Sequence, residues 1–329
     1  MKKVLLIAYL LIQSIQAQAT DIEDSTRFKN SKIVRFFTSP KYIISPFAFY
    51  MPETDIVIGA GIKRFYKLGK TDDSLTRVSN VNASFQYSLN GSYLLRSQYQ
   101  IFTNQEKYYI IGYLGFSRFP LTFYGIGNDI DMNKSEVVIC NYFRFDNVTY
   151  RKIGKNSFVG LGWRYFNMFN VESKTNGMLE TANIEGNNGS VVSGLNISYL
   201  FDSRDNILNP SKGLFTQLIY STHGNLTGST HTFNRWQFDA RTYLKPFPKR
   251  QDVLAFQGFG YLSNGNVPFN ELAQMGGEMI MRGYFQGSYR DKNLLALQAE
   301  YRLQLLKRWG IVGFAGVGSI SVIPWRALS

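Results

Sequence analysis

Residues able to do chemistry are sparse in this 329-residue chain, and most of them lie in one stretch. Between Asn264-Gly265 and Arg290-Asp291 the sequence reads Met275-Gly276-Gly277-Glu278, then Met281-Arg282-Gly283-Tyr284, then Gly287, Tyr289, Arg290 and Asp291. Glycines flanking an arginine and aromatics predict a tight turn that aims one cation at a defined partner. Other chemistry is poorly supplied. A hydrolase needs a nucleophile beside a base. The two histidines, His223 and His231, lie near one turn with no serine motif beside them, and read as solvated residues. With Cys140, the only cysteine, they give no metal-ligand spacing. The chain is therefore not expected to be an enzyme, and neither metal nor cofactor is expected. Cys140 sits in a run with strand character and reads as a packed, inert thiol.

The elements that position these residues show in a period-two pattern. Val81, Ala83, Phe85, Tyr87 and Leu89 alternate with Asn82, Ser84, Gln86 and Ser88. Val159, Leu161, Trp163 and Tyr165 alternate with Gly160, Gly162 and Arg164. Leu295, Leu297, Ala299, Tyr301 and Leu303 alternate with Gln298, Glu300, Arg302 and Gln304. Successive side chains of a strand point to opposite faces, so this is the strand signature. About twelve strands are expected, near 55–67, 76–89, 92–103, 107–119, 135–150, 156–171, 190–203, 213–223, 231–245, 252–263, 292–306 and 310–321. The segments 107–119 and 252–263 alternate poorly, and no segment has a helical period.

The strands match the length a tilted strand needs to cross a bilayer, about 9–11 residues. Their polar face is large and carries Arg96, Arg164, Arg235, Asp239, Arg241, Glu300 and Arg302. Their apolar face often ends in an aromatic, such as Tyr165, Tyr199, Tyr220 or Tyr243. A soluble sandwich would place its charges outside and its aromatics in a core. This pattern points instead to an all-β fold, a transmembrane antiparallel β-barrel of the outer-membrane type.

Composition agrees. Charged residues are 18% and aromatics 16%, which excludes a disordered chain, and one cysteine excludes a disulfide scaffold. The net charge of +13 comes from Lys and Arg scattered over turns, rims and the polar strand face. With no dense basic helix or stripe, no nucleic-acid partner is expected. At the N-terminus Lys2 and Lys3, an apolar run from Val4 to Ile12 and Ala17-Gln18-Ala19 form a signal-peptide pattern, with cleavage expected after Ala19.

The stretch around Arg282 resembles the signature lumenal loop of the BamA/TamA superfamily, also called the bacterial surface antigen family. In that family an (I/V/L)-R-G-(F/Y) turn folds back into the barrel, and an acidic lumen residue holds its arginine. Met281-Arg282-Gly283-Tyr284 is similar, with Met as a conservative variant, and the likeness extends to Gly276-Gly277 and to Tyr289-Arg290-Asp291. Asp202-Ser203-Arg204-Asp205-Asn206 with Asn209-Pro210-Ser211-Lys212-Gly213 resembles the family's turn before a mid-barrel strand. Phe123-Tyr124-Gly125-Ile126-Gly127-Asn128-Asp129 and Met51-Pro52-Glu53-Thr54 resemble its short members.

The resemblance implies an outer-membrane barrel of sixteen strands that assists insertion or translocation of proteins or lipids. The alternative is a passive channel or structural surface protein. Implied partners are outer-membrane lipid and lipopolysaccharide, with client barrels or an exported substrate. Arg282 would enter a partly dry lumen, where an unpaired cation is costly and a carboxylate suits the guanidinium fork. Where the family's acid is expected, in Gly313-Phe314-Ala315-Gly316-Val317-Gly318, this chain has Gly316. Glu300 is the expected substitute and Asp239 the second candidate. A structural turn in which Arg282 only bonds backbone is the competing reading. Residues 1–19 are thus expected as signal peptide, 20–50 as a segment too short for a POTRA domain that plugs the lumen or adds a short strand, and 51–329 as barrel with a lumenal loop at 264–291. Only about two strands follow the loop, and the chain does not end on the family's aromatic, so missing closing strands are expected.

Overall fold

Alternating apolar and polar residues form an antiparallel meander in the computed structural model. It describes residues 42–321 apart from 52–53, 69–75, 132, 208, 248, 278 and 307–308. The expected signal peptide, the rest of 1–41 and the tail 322–329 lie outside the described residues. The strands are β1 (Tyr42–Met51), β2 (Asp55–Tyr66), β3 (Ser79–Ser88), β4 (Tyr93–Phe102), β5 (Tyr108–Phe123), β6 (Glu136–Lys152), β7 (Ser157–Glu172) and β8 (Ser190–Asp202). They continue with β9 (Gly213–His223), β10 (Phe233–Leu244), β11 (Val253–Gly265), β12 (Ala273–Met275), β13 (Tyr289–Asp291), β14 (Asn293–Leu306) and β15 (Trp309–Ser321). Thirteen form one sheet in chain order, interrupted only between β11 and β14, where β12 and β13 pair as a separate ribbon.

The ladder register sorts the two faces. Asp146 faces Arg164, Arg241 faces Gln257, and Gln257 faces Gln298, so the polar residues share one side of the sheet. On the other side Ile58, Phe85, Leu161, Leu195, Trp236 and Leu297 are exposed. Contiguous exposed apolar surface on every strand is a lipid face, and the polar side lines a lumen. The sheet curls round that lumen. Arg77, between β2 and β3, reaches Asp202 of β8 at 3.0 Å, and Arg302 of β14 reaches the Pro210 carbonyl beyond β8 at 3.1 Å. The barrel is not closed: among the described residues β1 pairs with β2 alone and β15 with β14 alone.

Each of the twelve expected strands has a counterpart within a few residues, and the structure adds β1, β12 and β13. The wall begins at Tyr42 and not at 51, because β1 adds a strand of ten residues to the sheet. Both faces of β1 are apolar, with Ile43, Phe47 and Phe49 on one and Ile44, Pro46 and Ala48 on the other, so no alternation marks it. Its Pro46 fits an edge strand, which can lack a ladder donor.

The histidines are not solvated. His223 is 2% exposed and stacks on Phe233 at 4.1 Å, while His231 is buried with Nε2 3.2 Å from Glu185. His223 ends β9 on the lumen face, opposite Phe233 in the ladder. Tyr243 also departs from expectation. It is buried on the lumen side opposite Ala255, not in an outer girdle. Cys140 is buried in an apolar cluster with Phe123, Met168 and Phe269.

Candidate functional site

The segment from 266 to 292 leaves β11 and turns back into the lumen. One helical turn, Phe269–Glu271, starts it, and the β12–β13 ribbon carries it, with Ala273 opposite Asp291 and Met275 opposite Tyr289. Glycines make the reversal beyond β12 possible. Gly276 has φ +101°, and a Cβ there would sit 2.4 Å from the Phe285 carbonyl oxygen, so no other residue fits. Two apolar patches seat the segment. Phe269 and Leu272 join the cluster of β5–β8 and β10, and Met275 and Met281 pack on Leu294, Ala296 and Ile320 of β14 and β15. Fully burying a side chain such as Phe269 is worth about 1.5–3 kcal/mol.

Arg282 projects from the tip. Its Nη2 lies 2.6 Å from Glu300 Oε2, and its guanidinium stands 5.2 Å from the Phe314 ring. Glu300 is shared, since Arg302 Nε donates to Oε1 at 2.5 Å. Asp239 is elsewhere engaged, by Arg241 and by Gln257 at 3.0 Å. Gly316 has a steric role here. A Cβ at this position would meet Met281 Sδ at 3.2 Å, so the space for an acidic side chain on β15 is filled by the loop. The carboxylate stands one strand over, on β14, whose Gln298 pairs with Gly316 and whose Glu300 pairs with Phe314. Gln298 also fixes the turn, accepting from Met281 N at 3.1 Å and donating to Met279 O at 2.9 Å. Met281 has φ +54° and Gly283 has φ +109°, the backbone signature of this turn. Tyr284 is partly exposed and meets Tyr289 edge to face at 6.0 Å.

The base of the loop is held differently. Glu271 is buried, with Oε1 2.6 Å from Arg164 Nη2 of β7 and Oε2 2.9 Å from Arg235 Nη1 of β10. Arg235 also donates to the Glu271 carbonyl at 2.7 Å and lies 4.4 Å from the Tyr261 ring. Burial by itself would raise the pKa of Glu271, but Arg164 and Arg235 outweigh it and hold the carboxyl at about 2. An acid on the loop thus bridges two wall strands that are not neighbours.

Two other sequence motifs reach this segment, while Pro52 and Glu53 of the Met51–Thr54 stretch lie outside the described residues. Asp202 accepts both Nε and Nη2 of Arg204, at 2.8 and 3.0 Å. Asp205 accepts from Ser211 N and Lys212 N at 2.9 and 3.2 Å, closing the turn before Gly213. Hydrogen bonds to Ser211 and the backbone outweigh the effect of burial and hold the Asp205 carboxyl at about 2. Arg302 ties this turn to the loop, bonding Asn209 and the Pro210 carbonyl on one side and Glu300 on the other. From the opposite wall, Gly127 N donates to Arg290 O at 2.9 Å, and Tyr124 meets Phe285 edge to face. Asp291 is buried and accepts from Lys292 N.

Sequence reasoning missed Glu271 and its two arginines as a set. The available signal was a lone carboxylate within Val267-Pro268-Phe269-Asn270-Glu271-Leu272-Ala273, a mostly apolar run.

The sequence pattern of the Omp85 superfamily domain matches residues 68–326. A comparison with the sequences of curated proteins finds no match. Among solved structures the fold is similar to BamA from Haemophilus ducreyi lacking POTRA domains 1–3, at 12% identity and TM-score 0.55, over 86% of this chain and 58% of that one. It is also similar to CdiB from Acinetobacter baumannii, at 12% identity and TM-score 0.50, over 86% of this chain and 50% of that one. CdiB from Escherichia coli gives 10% identity and TM-score 0.52, over 86% of this chain and 53% of that one. The chain spans 50–58% of the length of these structures, and at such identities the likeness is one of fold.

Proposed function

The chain belongs to the Omp85 superfamily, and on that premise we propose that it assists the insertion or translocation of proteins or lipids at the bacterial outer membrane. The observation that carries this reading is the clamped loop, which ties β14 and β15 to the far wall. Among the described residues β1 and β15 each have one edge without a ladder partner, which hydrocarbon does not tolerate unless another strand or chain covers it. The loop packs its Met275 and Met281 on β14 and β15 and its Glu271 on β7 and β10, so it braces the seam strand against the far wall. A client strand or lipid at the seam would be handled by edges held from within. Outer-membrane lipid and lipopolysaccharide are the surrounding partners. Arg64 above Tyr42 and Tyr66, on the outer face of the first strands, suits their phosphate groups. The reading includes no catalytic step, and export would rest on the N-terminal signal pattern.

A passive channel is the competing reading, and the loop that crosses the lumen counts against it. The protein, purified in detergent, is tested in planar bilayers for conductance and in liposomes for insertion of a second barrel. Accelerated insertion is expected. Steady conductance with no insertion would overturn the reading.

A further inference from the structure

A cavity of about 690 Å³ lies between the inner wall of β1 and β3–β7 and the lumenal loop. Its charged lining is Arg96, Arg144 and Arg290, with no carboxylate among the described lining residues. Two of these cations are accounted for. Arg144 pairs with Asp146 at 2.5 Å, and Arg96 is exposed to solvent and donates to Ser84 Oγ at 3.1 Å.

Arg290 is different. It is 2% exposed, yet no carboxylate partners it among the described residues. Its Nη2 donates to the carbonyls of Thr122 at 3.1 Å and Gly287 at 3.3 Å, and its guanidinium stands 5.0 Å from the Phe123 ring. Nε and Nη1 are buried with no acceptor. Burial alone lowers its pKa, to about 10, with no acid opposing it. A buried guanidinium with two unmet donors is among the costlier features a fold can carry. Neither the Arg282–Glu300 pair nor the Glu271 bridge uses it, and on β13 its neighbour Asp291 points to the opposite face.

We propose that this cavity binds a small amphipathic monoanion of the carboxylate class, its carboxylate on Arg290 and its apolar body against Phe119, Leu121 and Phe285. One uncompensated cation calls for one negative charge, and a guanidinium fork matches a carboxylate. The volume falls within the range of small-molecule sites, and the mixture of an apolar wall with few polar anchors is their usual make-up. In the structure the free donors are buried, so the ligand carboxylate meets them after the guanidinium turns about its terminal torsions. The turn breaks the two long bonds to carbonyls and shifts the guanidinium on the Phe123 ring. This inference stands apart from the insertion reading, because it concerns ligand binding to the isolated barrel.

Octanoate is the probe, titrated calorimetrically into the protein in neutral maltoside micelles. Octanol and inorganic phosphate serve as the uncharged and the bare-anion comparisons. Saturable octanoate binding is expected, weakened at least tenfold by Arg290→Gln and less by Arg290→Lys, with no saturable binding of octanol. Equal octanoate affinity in Arg290→Gln would overturn the proposal. So would saturable octanol binding, or phosphate binding as tight as octanoate. Heat-dependent gel mobility checks that each variant is folded. If Arg290→Gln does not fold, Gln86→Trp decides, because it fills the cavity from β3 and leaves Arg290 in place. Lost octanoate binding there supports the site, and unchanged affinity overturns it.

Discussion

The base and the tip of the lumenal loop are both held by ion pairs, but with opposite polarity and at different depth. At the base the loop contributes an acid, Glu271, and the wall contributes two arginines. Side-chain exposure is 2% for Glu271 and 5% for Arg235. At the tip the loop contributes an arginine and the wall an acid. Arg282 is 42% exposed, and Glu300 is divided between it and Arg302. A buried pair loses far more than an exposed one when one partner is removed, because an uncompensated charge is left in a dry site. The residue with the recognisable motif is therefore not the one that bears most of the anchoring.

The sharpest way to break this comparison is Glu271→Gln. It leaves Arg235 without its buried counter-charge and Arg164 with only Asp146, 3.7 Å away, and a loss of about 3–5 kcal/mol is expected in urea unfolding of the vesicle-embedded protein. A midpoint close to wild type would assign the anchoring to Phe269 and its apolar cluster. The pH dependence tests the same site. The carboxyl of Glu271 is depressed from an ordinary 4.5 to about 2, so its contribution is full above about pH 4.5 and fades as pH falls towards 2. The stability difference between wild type and Glu271→Gln should be flat from pH 7 to about 5 and shrink below that. A difference that stays flat down to pH 2, or grows as pH falls, would mean the carboxyl is not depressed.

The tip should respond less. A double-mutant cycle of Arg282→Ala and Glu300→Ala is expected to give a coupling of about 0.5–1 kcal/mol. Glu300→Ala should be the worse single change, because it also frees Arg302. A coupling above about 2 kcal/mol would reverse the ranking of tip and base. Smallest of all is Asp205→Ala in the exposed turn before β9. It removes bonds to Ser211 and Lys212, and a loss of about 1 kcal/mol or less is expected. Hydrogen exchange at 203–213 should speed up while the loop amides stay protected. Faster exchange throughout the loop would show that Arg302 transmits the turn's geometry to Glu300.

Most of the wall was legible from sequence because a half-buried strand writes its period locally. Leu295, Leu297 and Ala299 against Gln298, Glu300 and Arg302 place β14 without any knowledge of its neighbours. β1 was illegible as a full strand for the same reason, since both of its faces are apolar. His223 shows a second limit. In sequence it borders a polar turn, but in the fold it faces the lumen and stacks on Phe233.

Within the site, Arg282 and its turn could be read directly, because glycines at fixed spacing around one cation are the local mark of a tight turn. By itself the sequence determined the strand periods, the lipid and lumen faces, and a loop bearing one aimed arginine. Each of these depends on residues within about ten positions of one another. Only the tertiary structure decided that Glu300 and not Asp239 meets Arg282, that the loop fills the place of an acid at Gly316, and that Glu271 bridges Arg164 and Arg235. Arg164 and Glu271 stand 107 residues apart, so their meeting depends on how far the sheet curls and how deep the loop enters. Curl and depth are set by the summed register and packing of every strand between them, which no local pattern encodes.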